Sequence, residues 1–296
     1  MQALTKLKER IASRTGLTLP QNGQSPQVHS FETFTQEDLS IEKLTYESEK
    51  GTVIPTLLIK PNNVKPGSPV YIYVSDKGKP NRFDNSILPF LLAKKGFIVL
   101  AIDVRGIRET SPTPPFVLDQ FTGYNPLLWK HEVPAIQSPG FGRTTLGMRT
   151  FDVLRGIDFI NFRNDLKGRK IVMVGEGLGG LWALLASVYD PQIDGVVTFG
   201  TLPSYKLLIT NQYYNVWGYF WVPGALRDFD IPDLARLVSP KPQIWIEPVN
   251  ALGAKLNFTS ASAIIGSHEN LHIITPDKKS AGGILQLFNN IFNYAK

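Results

Sequence analysis

Gly175-Glu-Gly-Leu-Gly-Gly180, in the middle of the chain, has the spacing of a turn that either presents a nucleophile or cradles a phosphate. Before it, Ile171, Val172, Met173 and Val174 form a continuous apolar run, the pattern of a strand covered on both faces. After it, Leu178, Leu181, Trp182, Leu185 and Val188 recur at helical spacing. Strand, glycine turn and helix in that order are the setting of two motifs. In Gly-x-Ser-x-Gly a strained turn lifts a serine above a sheet for attack on an ester carbonyl. In Gly-x-Gly-x-x-Gly the backbone comes close to a pyrophosphate. Gly177 stands where the first motif needs serine, while Gly175, Gly177 and Gly180 fit the second.

The dinucleotide reading also expects a carboxylate about 20 positions on, at the end of the next strand, to hold a ribose. That strand ends Thr198-Phe199-Gly200-Thr201, without one. The turn also follows several earlier strands, whereas such folds carry it after the first. Both points weigh against a nucleotide.

Other reactive residues are sparse. The absence of cysteine excludes disulfides, thiolate metal sites and a cysteine nucleophile, and leaves the redox compartment undecided. Four dispersed histidines offer no ligand spacing, so neither metal nor cofactor is expected. His268 and His272 read as surface or packing residues, and His131 beside Glu132 as a solvated pair. Glu176, within the turn, is a candidate general base if burial raises its pKa, with pocket lining or a structural hydrogen bond as the plainer role. Thirty-one basic against 25 acidic residues give a net charge of +6, scattered with no run longer than Lys94-Lys95 or Lys278-Lys279. That is a solvated surface and not a nucleic-acid footprint. No apolar run reaches membrane-spanning length, and the first 20 residues lack the apolar core of a signal peptide. The compartment stays open; the chain equally suits the mature part of an exported protein or a piece of a longer one.

The surrounding elements must position the turn. Leu4 to Ile11 has helical spacing and residues 17–27 are linker-like. Ile41–Glu47 and Val53–Ile59 flank Lys50-Gly51 as a hairpin, with Pro55 expected near an edge or bulge. Pro69–Val74 and Phe97–Ile102 read as strands around a helix over Ser86–Lys95. Residues 107–143 are a long proline-rich connection, of the kind more often functional than idle. Thr145–Phe162 reads as a helix with Leu146, Val153, Ile157 and Ile160 inward and Arg149, Asp152, Arg155 and Asp158 on the other side. Gly195–Phe199, Gln243–Glu247 and Leu271–Ile274 are further strands, and Ile231–Leu237 begins a short helix. Tyr205, Tyr213, Tyr214, Trp217, Tyr219, Phe220 and Trp221 make an aromatic stretch suited to a cap, a sugar platform or a partner interface. A final helix places Ile284, Leu287, Phe288, Ile291 and Phe292 on one face. The alternation predicts an α/β fold with a mostly parallel sheet and helices on both faces, a doubly wound three-layer sandwich. Residues 1–36 read as a helical extension and linker, and 37–296 as a single domain.

From about Leu39 to the C-terminus the chain resembles the α/β-hydrolases, specifically the acetyl-xylan-esterase and dienelactone-hydrolase-like group. The resemblance is carried by the order of the opening strands, Asp103-Val-Arg-Gly106, Gly142-Arg-Thr-Thr-Leu-Gly-Met-Arg-Thr-Phe-Asp152, the turn at 175–180 and the closing strand and helix. It implies the α/β-hydrolase fold and hydrolysis of acyl esters, often sugar acetates, by a serine, an acid and a histidine. The chain departs from that pattern at each position. Gly177 replaces the serine. Asn250, in Glu247-Pro-Val-Asn-Ala251, stands nearest the acid. The loop Thr275 to Gly283, where the histidine belongs, has no imidazole. Asp76, in the loop where related enzymes hold oxyanion donors, would repel a developing oxyanion, while the backbone N–H of Leu178 remains a donor for a carboxylate or hydroxyl. The resemblance therefore implies a non-catalytic domain whose pocket draws on Ser75, Asp76, Arg105, Glu176, Gly177, Leu178, Tyr205 and Trp217. Its expected ligand is a carbohydrate or small acyl group, or it meets a partner protein or domain. Two alternatives stay open: an active carboxylic-ester hydrolase built around Glu176, Asp76 or His131, and a dinucleotide-binding domain.

Overall fold

The computed structural model describes residues 2–21, 24–111, 133–215, 222–278 and Phe288. These form a nine-stranded sheet of β1 (Val28–Gln36), β2 (Leu39–Glu49), β3 (Thr52–Pro61), β4 (Val70–Ser75), β5 (Ile98–Ile102), β6 (Ile171–Glu176), β7 (Ile193–Phe199), β8 (Gln243–Ile246) and β9 (Leu271–Ile274). The spatial order is β1-β2-β3-β5-β4-β6-β7-β8-β9. The first three strands and the β3–β5 junction are antiparallel; β5, β4 and β6 to β9 run parallel. Helices α1 (Gln2–Thr15), α2 (Leu88–Lys94), α3 (Thr145–Phe162), α4 (Gly179–Tyr189), α5 (Ile231–Val238) and α6 (Phe258–Ile265) pack around it.

Parallel strands covered on both sides must be apolar throughout. Every residue of β4 and β5 is buried, as are Ile171 to Gly175 of β6. The register levels the C-terminal ends of the strands: Ser75 pairs with Glu176, Glu176 with Phe199, Phe199 with Ile246 and Ile246 with Ile274. The loops that follow these residues therefore meet at one edge. Pro55 is not at an edge: β3 lies between β2 and β5, and Pro55 pairs with Thr45 two residues from the irregularity opposite Glu47 and Glu49, while its carbonyl accepts from the Asp103 N–H just past the end of β5.

The structure adds elements to the sequence reading. Val28–Gln36, within the expected extension, is a strand paired with β2 over most of its length. Its exposed positions on nearly all faces explain why alternation did not reveal it. The N-terminal helix is also tied down. Leu7 and Ile11 are buried, Lys8 Nζ donates to the carbonyl of Val188 (2.9 Å), and Thr144 donates backbone and side-chain bonds to the carbonyl of Thr15 (3.0 and 2.8 Å). Helix α6 was likewise not foreseen. Of the expected final helix, Phe288 is buried and stacks on Tyr71 at 6.1 Å, while Ile284, Leu287, Ile291 and Phe292 lie outside the described residues.

The polar side of α3 requires a correction. Arg149, Asp152 and Arg155 are buried, and Asp158 is half-buried. Arg149 and Asp152 face the end of β2 and the loop after β5, while Arg155 donates to the Gln24 carbonyl and pairs with Asp158. Asp152, with no exposed surface, receives the Arg105 side chain (2.9 Å from Nε to Oδ2), the Arg105 backbone N–H (2.9 Å) and the Ser48 hydroxyl (2.7 Å). Arg105 also reaches Glu49 at 2.5 Å, which in turn accepts from Arg143 at 2.7 Å. Tyr46 donates to the Asp152 carbonyl at 2.7 Å. A buried charge is tolerated only when paired and hydrogen-bonded, and here both conditions hold. Asp152→Ala leaves the Arg105 guanidinium without its main partner, so the expected loss of stability is ~3–5 kcal/mol. Urea denaturation of the two proteins side by side measures it, and a loss within the range of an ordinary surface substitution contradicts the structural role.

Candidate active site at the glycine turn

The turn after β6 is held by contacts that only glycine permits. A Cβ on Gly179 would collide with the Val74 carbonyl, one on Gly180 with the Thr201 hydroxyl, and one on Gly175 with the Gly179 carbonyl. Backbone thus lies directly on backbone at the junction of β4, β6 and α4. Gly177 has φ +59°, the left-handed region in which a side chain is strained. Its N–H donates to the Phe199 carbonyl (2.8 Å), and its own carbonyl accepts from Thr201 Oγ1 (3.0 Å).

The space above Gly177 is filled. A Cβ there would meet Asp76 Oδ2 at 2.6 Å, Oδ1 at 2.8 Å and Cγ at 2.9 Å. Asp76 comes from the loop that leaves β4, one residue after Ser75, whose register partner is Glu176. The Leu178 N–H lies near enough to the Asp76 carboxylate to favour its charged form, and the buried Ser75 hydroxyl reaches it at 3.4 Å. Burial pushes the Asp76 carboxyl up from its ordinary value, and the neighbouring Glu176 charge adds to the rise. Lys77, Leu178 N–H and Ser75 oppose it without cancelling it.

Glu176 is committed as well. Tyr73 donates to its Oε2 at 2.7 Å, and Lys77 reaches Oε1 at 3.3 Å. Burial and the Glu176 carboxylate push the Tyr73 phenol far up, so it stays a proton donor. Tyr73, Lys77 and Thr201 were not singled out in the sequence. Tyr73 could have been, because it shares a strand face with Tyr71 two residues earlier and β4 is adjacent to the turn.

The remaining expected residues do not join this cluster. Arg105 is spent on Asp152 and Glu49, which corrects its placement in a pocket. Asn250 Oδ1 accepts from the backbone N–H groups of Leu252 (2.9 Å) and Ala254 (3.0 Å), closing its own loop, and Glu247 pairs with Lys255. Tyr205 is buried against Phe229, with ring centroids 6.2 Å apart, and lines a separate apolar cavity of about 640 Å³ with Tyr214 and Leu226. His268 precedes β9, at the opposite end of the parallel strands from the turn, and His272 is exposed within it. Trp217, His131 and Glu132, together with Tyr219, Phe220 and Trp221, lie outside the described residues. Among the described residues no group of three or more metal-ligating side chains is found, and no helix is long and apolar enough to cross a membrane.

Two measurements follow from the contact between Asp76 and Gly177. Gly177→Ser forces a side chain into a filled, left-handed position, and overpacking of this kind costs about 1–3 kcal/mol. Adding Asp76→Ala should return part of that loss, so a double-mutant cycle read by thermal melting shows coupling; strict additivity contradicts the contact. The raised Asp76 pKa also sets a sign. Folded protein binds this proton more readily than unfolded chain, so its contribution falls as pH rises from 3.8 through the raised value. On acidification from neutral pH, the wild type should gain stability relative to Asp76→Asn; an unchanged difference between the two refutes the assignment.

Three comparisons place the fold. The family described as "alpha/beta hydrolase fold" matches residues 78–283. YtaP of Bacillus subtilis, a provisionally named hydrolase, is 27% identical over 110 residues, a stretch that spans 37% of each chain and so well under half of that relative. A provisionally assigned acetyl xylan esterase from Bacteroides fragilis superposes with a TM-score of 0.68 at 17% identity, covering 94% of this chain and 77% of that one. Acetyl xylan esterase 1 from Thermoanaerobacterium gives 0.61 at 15% identity over 99% and 94%, and a glucuronoyl esterase from Solibacter usitatus 0.61 at 12% over 98% and 91%. At these identities the shared property is the fold. With the family profile matching residues 78–283, more than half of the chain and including the turn at 175–180, the chain belongs to the alpha/beta hydrolase fold family.

Proposed function

We propose that this protein is a non-catalytic member of its family, a single α/β-hydrolase-like domain with an N-terminal extension, which acts by binding a ligand or supporting a partner. The observation that carries the reading is the Asp76 carboxylate seated against Gly177. Acyl transfer needs a nucleophile at that point and donors aimed at a developing negative charge. Here a glycine stands at the first, and a carboxyl group sits where the developing charge would form.

The alternatives gain less support. Glu176 as a general base would have to release Tyr73 and Lys77. A pyrophosphate would meet the Asp76 carboxylate at the place where the glycine motif needs open backbone. A partner-binding role draws on Ile209, Tyr213, Tyr214 and Leu226, large apolar side chains exposed near the Tyr205 cavity. Exposed apolar groups gathered in this way favour a contact surface.

The decisive assay pairs turnover of a short acyl nitrophenyl ester with labelling by a fluorophosphonate. Neither should exceed a heat-denatured control. Turnover that Glu176→Gln abolishes would instead restore the hydrolase reading.

A further inference from the structure

Away from the glycine turn, a groove of about 560 Å³ lies between β1–β3 and the chain that leaves β4. Its size is within the range of ~300–1,000 Å³ typical of small-molecule sites. Phe31, Phe34, Phe83 and Phe90 line it, and Phe31 is 64% exposed. Phe83 and Phe90 hold each other at 4.9 Å between ring centroids. Aromatic side chains bury a large area with little loss of conformational freedom. Among its lining residues Lys43, Lys79 and Arg82 are cationic and Glu109 is anionic; Lys43 pairs with Glu32 and Arg82 with Asp84. The groove is thus apolar, with paired cations along it.

Lys79 gives it an anchor. Its side chain is 5% exposed and rests on Asp103, which has no exposed surface. The Lys79 backbone N–H donates to Asp103 Oδ1 at 2.6 Å and the ammonium to Oδ2 at 3.2 Å. The third partner is Glu109, which pairs with the same ammonium while 59% exposed. Asp103 therefore fixes the lysine from inside, and Glu109 covers it from the solvent side. Burial raises the Asp103 carboxyl while Lys79 opposes the rise.

We propose that this groove binds an amphipathic carboxylate, an aromatic or short aliphatic acid. Its carboxylate takes the place of Glu109 on Lys79, and its apolar body lies against Phe31, Phe34 and Phe83. The exchange swaps one carboxylate for another, so Lys79 and Asp103 need not move. A neutral ligand gains nothing at Lys79, which keeps Glu109. The site is separate from the glycine turn and does not depend on the turn's being inactive.

Isothermal titration of the full chain with 3-phenylpropanoate tests this, with 3-phenylpropanamide as the neutral control. The acid should bind at least about 10-fold tighter than the amide, the scale of a hydrogen-bonded charge. Glu109→Gln removes the competitor and should tighten the acid by roughly 2–5-fold, as for an ion pair that no longer has to be broken. Phe31→Ala, on an exposed side chain, should weaken both compounds. Equal affinity for acid and amide, weaker binding in Glu109→Gln, or no binding of the acid overturns the proposal. Loss of acid binding in Asp76→Asn also overturns it, by moving the ligand to the glycine turn.

Discussion

The close approach of backbone to backbone at residues 175–180 is the constraint on which the rest of the site depends. Gly179 lies on the Val74 carbonyl and Gly180 on the Thr201 hydroxyl, so β4, α4 and the loop after β7 converge within one turn of chain. No other residue type fits those positions without moving a strand. This contact sets the start of α4, and α4 is buried along almost its whole length, from Gly179 to Val188. It also brings the loop after β4 over Gly177. The position of Asp76 follows from strand packing and not from any property of the aspartate.

A second constraint operates at the antiparallel side. Asp152 is buried and Arg105 half-buried, and they bind α3, β2 and the loop after β5 in one network. Such a network rarely exceeds the stability of a well-packed apolar equivalent, but its members are mutually dependent. That dependence explains why Arg105 is unsuited to a ligand site despite its place at the C-terminal edge of the sheet.

Much of this architecture was legible in the sequence. The apolar runs at 70–74, 97–102 and 171–174 announced buried parallel strands, because a strand covered on both faces cannot alternate. The turn was legible because its glycines are dictated by contact. What escaped notice had a different physical origin. The strand at Val28–Gln36 is exposed on both faces, so it has neither an apolar run nor alternation. The charges of α3 read as a wetted face because helical periodicity records polarity, not whether a partner charge arrives from another element. Asp76 was recognised as hostile to an oxyanion, yet its seat over Gly177 depends on the register of β4 against β6, which sequence spacing does not specify.

Gly177 and Asp76 also bear on each other as alternatives. A side chain at 177 requires the space that the carboxylate fills. Glycine at 177 and the carboxylate above it are therefore one structural condition. A serine placed there would have that carboxylate beside its oxygen. The histidine that would accept a proton has no counterpart in the described loops at this edge, and Asn250 is closed on its own backbone. On the proposed reading, acyl transfer at this turn would need several changes at once, whereas the packing that holds the turn needs none of them.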